Sequence, residues 1–296
     1  MKLVEFFNIK DVIRDINIGA TYYTNSEIKD TFTFALSDEF IHIANQNKNI
    51  AAIITTKELS NKVIDSKGLV ISNNVKKDFF NLHNYLVFHH EMKYELKANS
   101  VSNLANISKT AHIGKNVFIG KNVEIGHFTV IEENCSIDDN TIIGDHVVIG
   151  ARGLHNTRVS KDEFIHVFDA GGVKIGKNCE VLSGCVIQKS YFCEATIIED
   201  FTKLGPLVNV GHGTKIGKRC LVTGGVVIAG FNEIGNDVWI GPSSTIAHGL
   251  KIGNNVGVKL GSVVITNLKD NENVSGNFAF SHNKHLINYT RNKRNK

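Results

Sequence analysis

The chain has 296 residues, 42% of them hydrophobic, and a net charge of +4, enough for two or three modules around a sizeable core. So mild a positive surplus gives no electrostatic case for nucleic acid as a partner, and no apolar run approaches the ~18 residues that a membrane span requires. The segment from Met1 to Arg14 is broken by charge too early for a secretory leader, so the expected location is cytoplasmic.

The N-terminal third shows no long period. Thr31 to Leu36 predicts a strand, Asp38 to Asn47 a short helix, Ile50 to Thr55 a buried strand and Leu69 to Ser72 a third strand. Val75 to His89 has helical spacing through Phe79, Phe80, Leu82 and Leu86. Strands alternating with helices predict a small α/β domain over residues 1–100, closed by a polar linker between Glu95 and Asn103.

From Ile107 the pattern changes. Every sixth residue to Ile149 is isoleucine, and four residues after each rung comes a smaller side chain such as Ala111, Val117 or Thr129. A period of six fits neither a helix nor an alternating strand. It predicts short strands joined by turns, three to a coil of 18 residues, with coils stacked by parallel pairing about 4.7–4.9 Å apart. The ladder stops at Gly150 and resumes at Ile175. The intervening residues 150–174 form a loop insertion rich in aromatic and charged side chains, and so long a loop inside a compact repeat is a candidate for function. The second ladder runs Ile175, Val181, Ile187, Cys193, steps five residues to Ile198, and continues in sixes through Leu204, Val210 and Ile228 to Val264, giving 24 hexads in all.

The fold class expected is therefore mainly β: a left-handed parallel β-helix of hexapeptide repeats over residues 101–266, preceded by the α/β domain and followed by a short C-terminal cap and basic tail over 267–296, with a helical stub around His285 to Tyr289. Cys135, Cys179, Cys185 and Cys220 take small inward positions and Cys193 a large one. With no C-x-x-C pair they read as core residues and not as a disulfide or metal framework.

Phasing the histidines against the ladder singles out two. His212 lies two residues after rung Val210 and His248 two after Ile246; they are 36 residues apart, and Gly230 falls midway. The three should share one vertical column, the histidines about 9 to 10 Å apart across a glycine notch where a backbone N–H can be approached. His212 is then a candidate general base. The competing reading is an ordinary polar turn residue of the kind expected at His112, His127 and His146.

The stretches Val208-Asn-Val-Gly-His-Gly-Thr-Lys-Ile-Gly and Val222-Thr-Gly-Gly-Val-Val-Ile-Ala-Gly230 resemble the UDP-3-O-acylglucosamine N-acyltransferases of lipid A biosynthesis, and the order of parts follows that family from Thr33 to about Asn283. The resemblance implies a homotrimer, a thioester acyl donor (acyl-CoA or acyl carrier protein) and, as acceptor, the amino group of a nucleotide-linked sugar. It makes His212 the catalytic base, Gly230 the oxyanion donor, and Phe34 and Phe40 the pair that holds the nucleotide base, with strand packing as the competing reading for Phe34. No metal is required. Where that family has Asp-Asn-Gln, Asp-Arg-Gly and Gly-Phe-Gly, this chain has Gly205-Pro206-Leu207, Gln188-Lys189-Ser190 and Gly153-Leu154-His155. The family's second histidine aligns at Gly249, one position from His248, which is kept as a substrate-binding candidate. From other classes, a carbonic anhydrase-like zinc β-helix, which needs three ligands, and a non-catalytic binding module remain as alternatives.

Overall fold

Apolar residues at two different periods build two different bodies. The computed structural model describes residues 1–92, 94, 99–276, 281–284, 287 and 290–291. In the N-terminal part the strands are β1 (Val12–Arg14), β2 (Ala20–Thr21), β3 (Thr31–Phe34), β4 (Ile50–Thr55) and β5 (Gly68–Ile71), with helices α1 (Asp38–Gln46) and α2 (Val75–Phe88). They form one five-stranded sheet in the order β1-β5-β4-β3-β2, with β1 antiparallel and the rest parallel. The helices start where side chains can accept orphan amides, Ser37 from the Phe40 N–H and Asn74 from the Lys77 N–H. The spacing of Phe79, Phe80, Leu82 and Leu86 puts all four on the buried face of α2. The short strands β1 and β2 were not expected, because two or three residues leave no alternation to read.

The six-residue ladder folds as three parallel faces of nine, eight and eight strands. Rungs pair with rungs a coil away, as in Ile125 with Ile143 and Val210 with Ile228, so each inward column is continuous. The rungs from Ile119 to Val264 fill the core with Cys135, Cys179, Cys185 and Cys220, each fully buried, between them. Turns close through left-handed residues that recur in the same phase, Asn116, Asn122, Phe128, Asn134, Asn140 and His146, all with φ between 53° and 60°. Among non-glycine residues asparagine and histidine are enriched in that conformation, and the stacked Asn116–Asn134 and Asn122–Asn140 side chains bond to each other.

The coil extends one strand beyond the ladder of rungs 107–264 at each end: Val101, at the expected start of the β-helix, pairs with Ile119, and Val274, beyond the expected end, pairs with Val258. Cys193 is not a rung. Ile175 pairs directly with Ile198, so the apparent five-residue step is an insertion that loops out between Gln188 and Ala195 and carries Tyr191 and Phe192 away from the coil. Phe192 is fully buried among Phe79, His83, Tyr22 and Tyr23, in a shared core that joins the N-terminal sheet to the coil. The longer insertion holds an antiparallel hairpin, Asn156–Arg158 with Phe164–His166. Helix α2 clamps it: Lys77 pairs with Glu163 at 2.7 Å, Asn84 donates to the His166 carbonyl and accepts from the Phe168 N–H, and His83 Nε2 donates to the Phe168 carbonyl at 2.8 Å.

Of the helix expected at 285–289 only Ile287 is among the described residues, and Lys293, Arg294 and Lys296 of the basic tail lie outside them. No helix among the described residues is long and apolar enough to cross a membrane.

Candidate active site

Three rungs in one face, Val210, Ile228 and Ile246, stack in register, and the residues two positions on, His212, Gly230 and His248, stack at the corner beside them. The corner is held by Phe231 N–H to the His212 carbonyl (2.8 Å) and Gly249 N–H to the Gly230 carbonyl (3.0 Å). The column is as phased, but its interior differs from expectation. The two imidazole centres are 5.9 Å apart, closer than the strand spacing alone requires, because the His212 ring leans across the glycine. A Cβ on Gly230 would lie 2.3–2.6 Å from His212 Cε1, Nε2 and Nδ1. The notch is thus filled by the imidazole, and glycine is needed to seat it. No described residue accepts a hydrogen bond from the Gly230 N–H.

Around His212 stand the rings of His155, Phe231 and Tyr191, with centres at 4.7, 4.9 and 5.0 Å. His212 Nδ1 is buried without a partner, whereas Nε2 is not enclosed in this way. Burial chiefly, then the neighbouring His155 and His248, lower its pKa to about 3, against a small opposing pull from Asp169. The imidazole is therefore neutral at physiological pH and has a lone pair to accept a proton, but a pKa so far below neutrality makes it a weak base in this free state. Burial also lowers the pKa of His248.

His155 and Asp169 were not singled out from the sequence. They flank the hairpin, and its ladder continues with Val167 N–H to the His155 carbonyl at 2.8 Å, which brings the two side chains together. His155 Nδ1 meets Asp169 Oδ1 at 2.5 Å, and Arg152 Nε lies 3.4 Å from Oδ2. The side chains of His155 and Asp169 are 2% and 5% exposed. A Cβ on Gly153 would fall 2.2 Å from His155 Nε2, so the glycine before it lets the loop close over the ring. His155 Nε2, like His212 Nδ1, is buried without a partner, and an unmet buried group costs about 1–3 kcal/mol. The available signal was the ladder's interruption; pairing across an unforeseen hairpin hid which of its residues would meet.

Phe34 and Phe40 do come together. With Tyr23, Leu36, Ile43 and Lys76 they line a largely apolar cavity of about 680 Å³. Phe34 packs against Phe79 and Tyr23, while Phe40 is 49% exposed at the mouth. Tyr23 connects this cavity to the histidines: its hydroxyl lies 2.5 Å from that of Tyr191, and it also lines a smaller cleft of about 200 Å³ with Phe231 and His248. By contrast, His127 bonds to Ser108 at an exposed turn and His146 stacks on Phe128, as ordinary turn histidines do. Among the described residues no three His, Cys, Asp or Glu side chains form a group able to hold a metal ion.

The repeats of the coil match the bacterial transferase hexapeptide (six repeats) over residues 110–137, 116–151 and 195–230. The matched segments carry the six-residue repeat that builds the coil. Over 78 residues, 26% of this chain and 22% of the relative, the chain is 40% identical to a UDP-3-O-acylglucosamine N-acyltransferase of Rickettsia akari. Over 116 residues, 39% of this chain and 36% of the relative, it is 33% identical to a probable UDP-3-O-acylglucosamine N-acyltransferase 2, mitochondrial, of Arabidopsis thaliana. The match thus spans between about a fifth and about a third of those relatives' length. Among solved structures, the Arabidopsis UDP-N-acetylglucosamine acyltransferase is 21% identical with a TM-score of 0.44, covering 64% of this chain and 77% of that one.

Proposed function

We propose that the protein is an N-acyltransferase that moves an acyl group from a thioester, acyl-CoA or acyl carrier protein, to the amino group of a nucleotide-linked amino sugar used in bacterial surface polysaccharide or lipopolysaccharide synthesis. The observation that carries this reading is the His212 imidazole seated on Gly230 within a coil segment that matches the transferase hexapeptide repeats. The aromatic cavity one tyrosine away supports it. In the reaction the amine attacks the thioester carbonyl and forms the C–N bond. His212 takes the proton from the amine, the Gly230 N–H stabilises the oxyanion, and collapse breaks the C–S bond as the proton passes to the departing thiolate. General-base assistance contributes about 10²–10⁴ in rate and an oxyanion donor about 10²–10³. A thioester is already activated, so neither a metal nor a covalent enzyme intermediate is called for.

Phe34 and Phe40 stack the nucleotide base, and His248, beside the smaller cleft, contacts the acceptor or donor. A homotrimer, with sites shared between subunits, is part of the same proposal. Screening UDP- and dTDP-linked amino sugars against acyl-CoA and acyl carrier protein donors, with product mass as readout, tests it. The expected result is an N-acylated sugar whose formation falls about 10²-fold or more in His212→Ala while sugar binding persists. Near wild-type turnover in that variant would overturn the role of His212.

A further inference from the structure

His155 and His212 each leave one buried nitrogen without a partner among the described residues, and their rings stand edge to face at 88° with centres 4.7 Å apart. The protonation of one of these rings is fixed by its partner. His155 Nδ1 bonds to the Asp169 carboxylate, which can only accept, so Nδ1 carries the proton and Nε2 of the neutral ring is a lone pair. Arg152 Nε lies 3.4 Å from the other carboxylate oxygen. The Tyr191 hydroxyl packed here is committed to Tyr23, and the Gln188 side-chain oxygen lies with His155 Nε2 against Gly153. The His155 ring packs against that of His212, and the unpartnered His155 Nε2 and His212 Nδ1 are the two ring nitrogens this contact leaves unmet.

We propose that Asp169 and His155 are positioning residues for the general base, the two members that the loop insertion supplies to a three-residue relay with His212. It rests on the reading of His212 given above. Asp169 holds His155 with its proton on Nδ1, and His155 Nε2 accepts from Nδ1–H of His212. That fixes His212 in the tautomer whose lone pair is on Nε2, the nitrogen not enclosed by protein. When Nε2 takes the proton of the attacking amine, the positive charge on His212 is stabilised through the strengthened Nδ1–H bond to His155 and, beyond it, by Asp169. No proton leaves His155 or Asp169, and the Nε2 proton departs with the thiolate. The relay also accounts for two glycines at once, Gly230 making room for the His212 ring and Gly153 for that of His155.

The test is the ring-nitrogen spectrum of the full-length protein labelled with ¹⁵N-histidine, with the His212 signals assigned from their loss in His212→Gln. In the unmodified protein His212 is expected to carry its proton on Nδ1. In Asp169→Asn the amide can donate to His155 Nδ1, which puts the His155 proton on Nε2 facing His212, so His212 should switch to Nε2–H. In His155→Phe, which keeps an aromatic ring against Tyr191, the tautomer preference should disappear. Both variants should lose kcat by about 10²-fold or more with KM for the sugar within about threefold. A His212 proton on Nε2 in the unmodified protein, or an unchanged tautomer in both variants, overturns the relay, and so does loss of activity without a tautomer change, the mark of a purely structural role. Because the tautomer is read without substrate, this outcome is independent of the His212→Ala test on which the acyltransfer reading stands.

Discussion

Gly230 decides where the His212 imidazole can lie. Its missing side chain leaves the one gap at that corner, and the imidazole occupies it at distances no Cβ could share. Gly230→Ala is therefore expected to displace the ring, costing about 1–3 kcal/mol from overpacking and about 10²-fold or more in turnover. Urea unfolding and steady-state kinetics measure the two losses; wild-type values for both would show that the ring moves without consequence. The glycine was legible from phase alone, since 18 residues separate it from each column histidine. Its use was not, because a side chain's lean is set by neighbours from other elements, here Tyr191, Phe231 and His155.

At the scale of elements, the two insertions matter more to the candidate site than the regular coils do. The shorter one sends Phe192 into the N-terminal core and Tyr191 against His212. The longer one becomes a hairpin, and α2 fixes it through Asn84, which bonds to both the His166 carbonyl and the Phe168 N–H without touching His212. Asn84→Ala should loosen the hairpin, cost about 1–2 kcal/mol, raise amide exchange over 156–168, and lower turnover with the coil intact. Exchange rates equal to wild type would show that the hairpin holds itself. The long insertion shows in the sequence as a gap in the ladder, whereas the short one mimics a hexad. Cys193 happens to lie six residues after Ile187, and a five-residue step to Ile198 looks like a slip in phase. Only the pairing of Ile175 with Ile198 reveals the excursion.

For the molecule as a whole, burying neutral histidines couples stability to pH. His83 is held by Thr21 Oγ1 on one ring nitrogen and the Phe168 carbonyl on the other, and burial lowers its pKa to about 4; His212 lies lower still. Between about pH 6.5 and those values the unfolded chain binds protons that the folded chain refuses, so stability is full above pH 6.5 and falls as pH drops, by up to about 1.4 kcal/mol per pH unit for each group. Burial raises the pKa of Glu194, which acts in the opposite sense toward the acid end, so the difference between proteins is the cleaner measure. The urea midpoint of wild type should fall more steeply from pH 7.5 to pH 5 than that of His83→Gln, and parallel curves would remove His83 from the account. The sequence by itself determined the coil, its inward columns and the corner shared by His212, Gly230 and His248, because a six-residue period with parallel stacking leaves each side chain one face and one height. Only the tertiary structure decided what surrounds that corner. The residues that complete it, His155, Asp169, Tyr191 and Tyr23, come from aperiodic segments and a separate sheet, and their positions follow from packing between bodies, for which the chain carries no repeating signal.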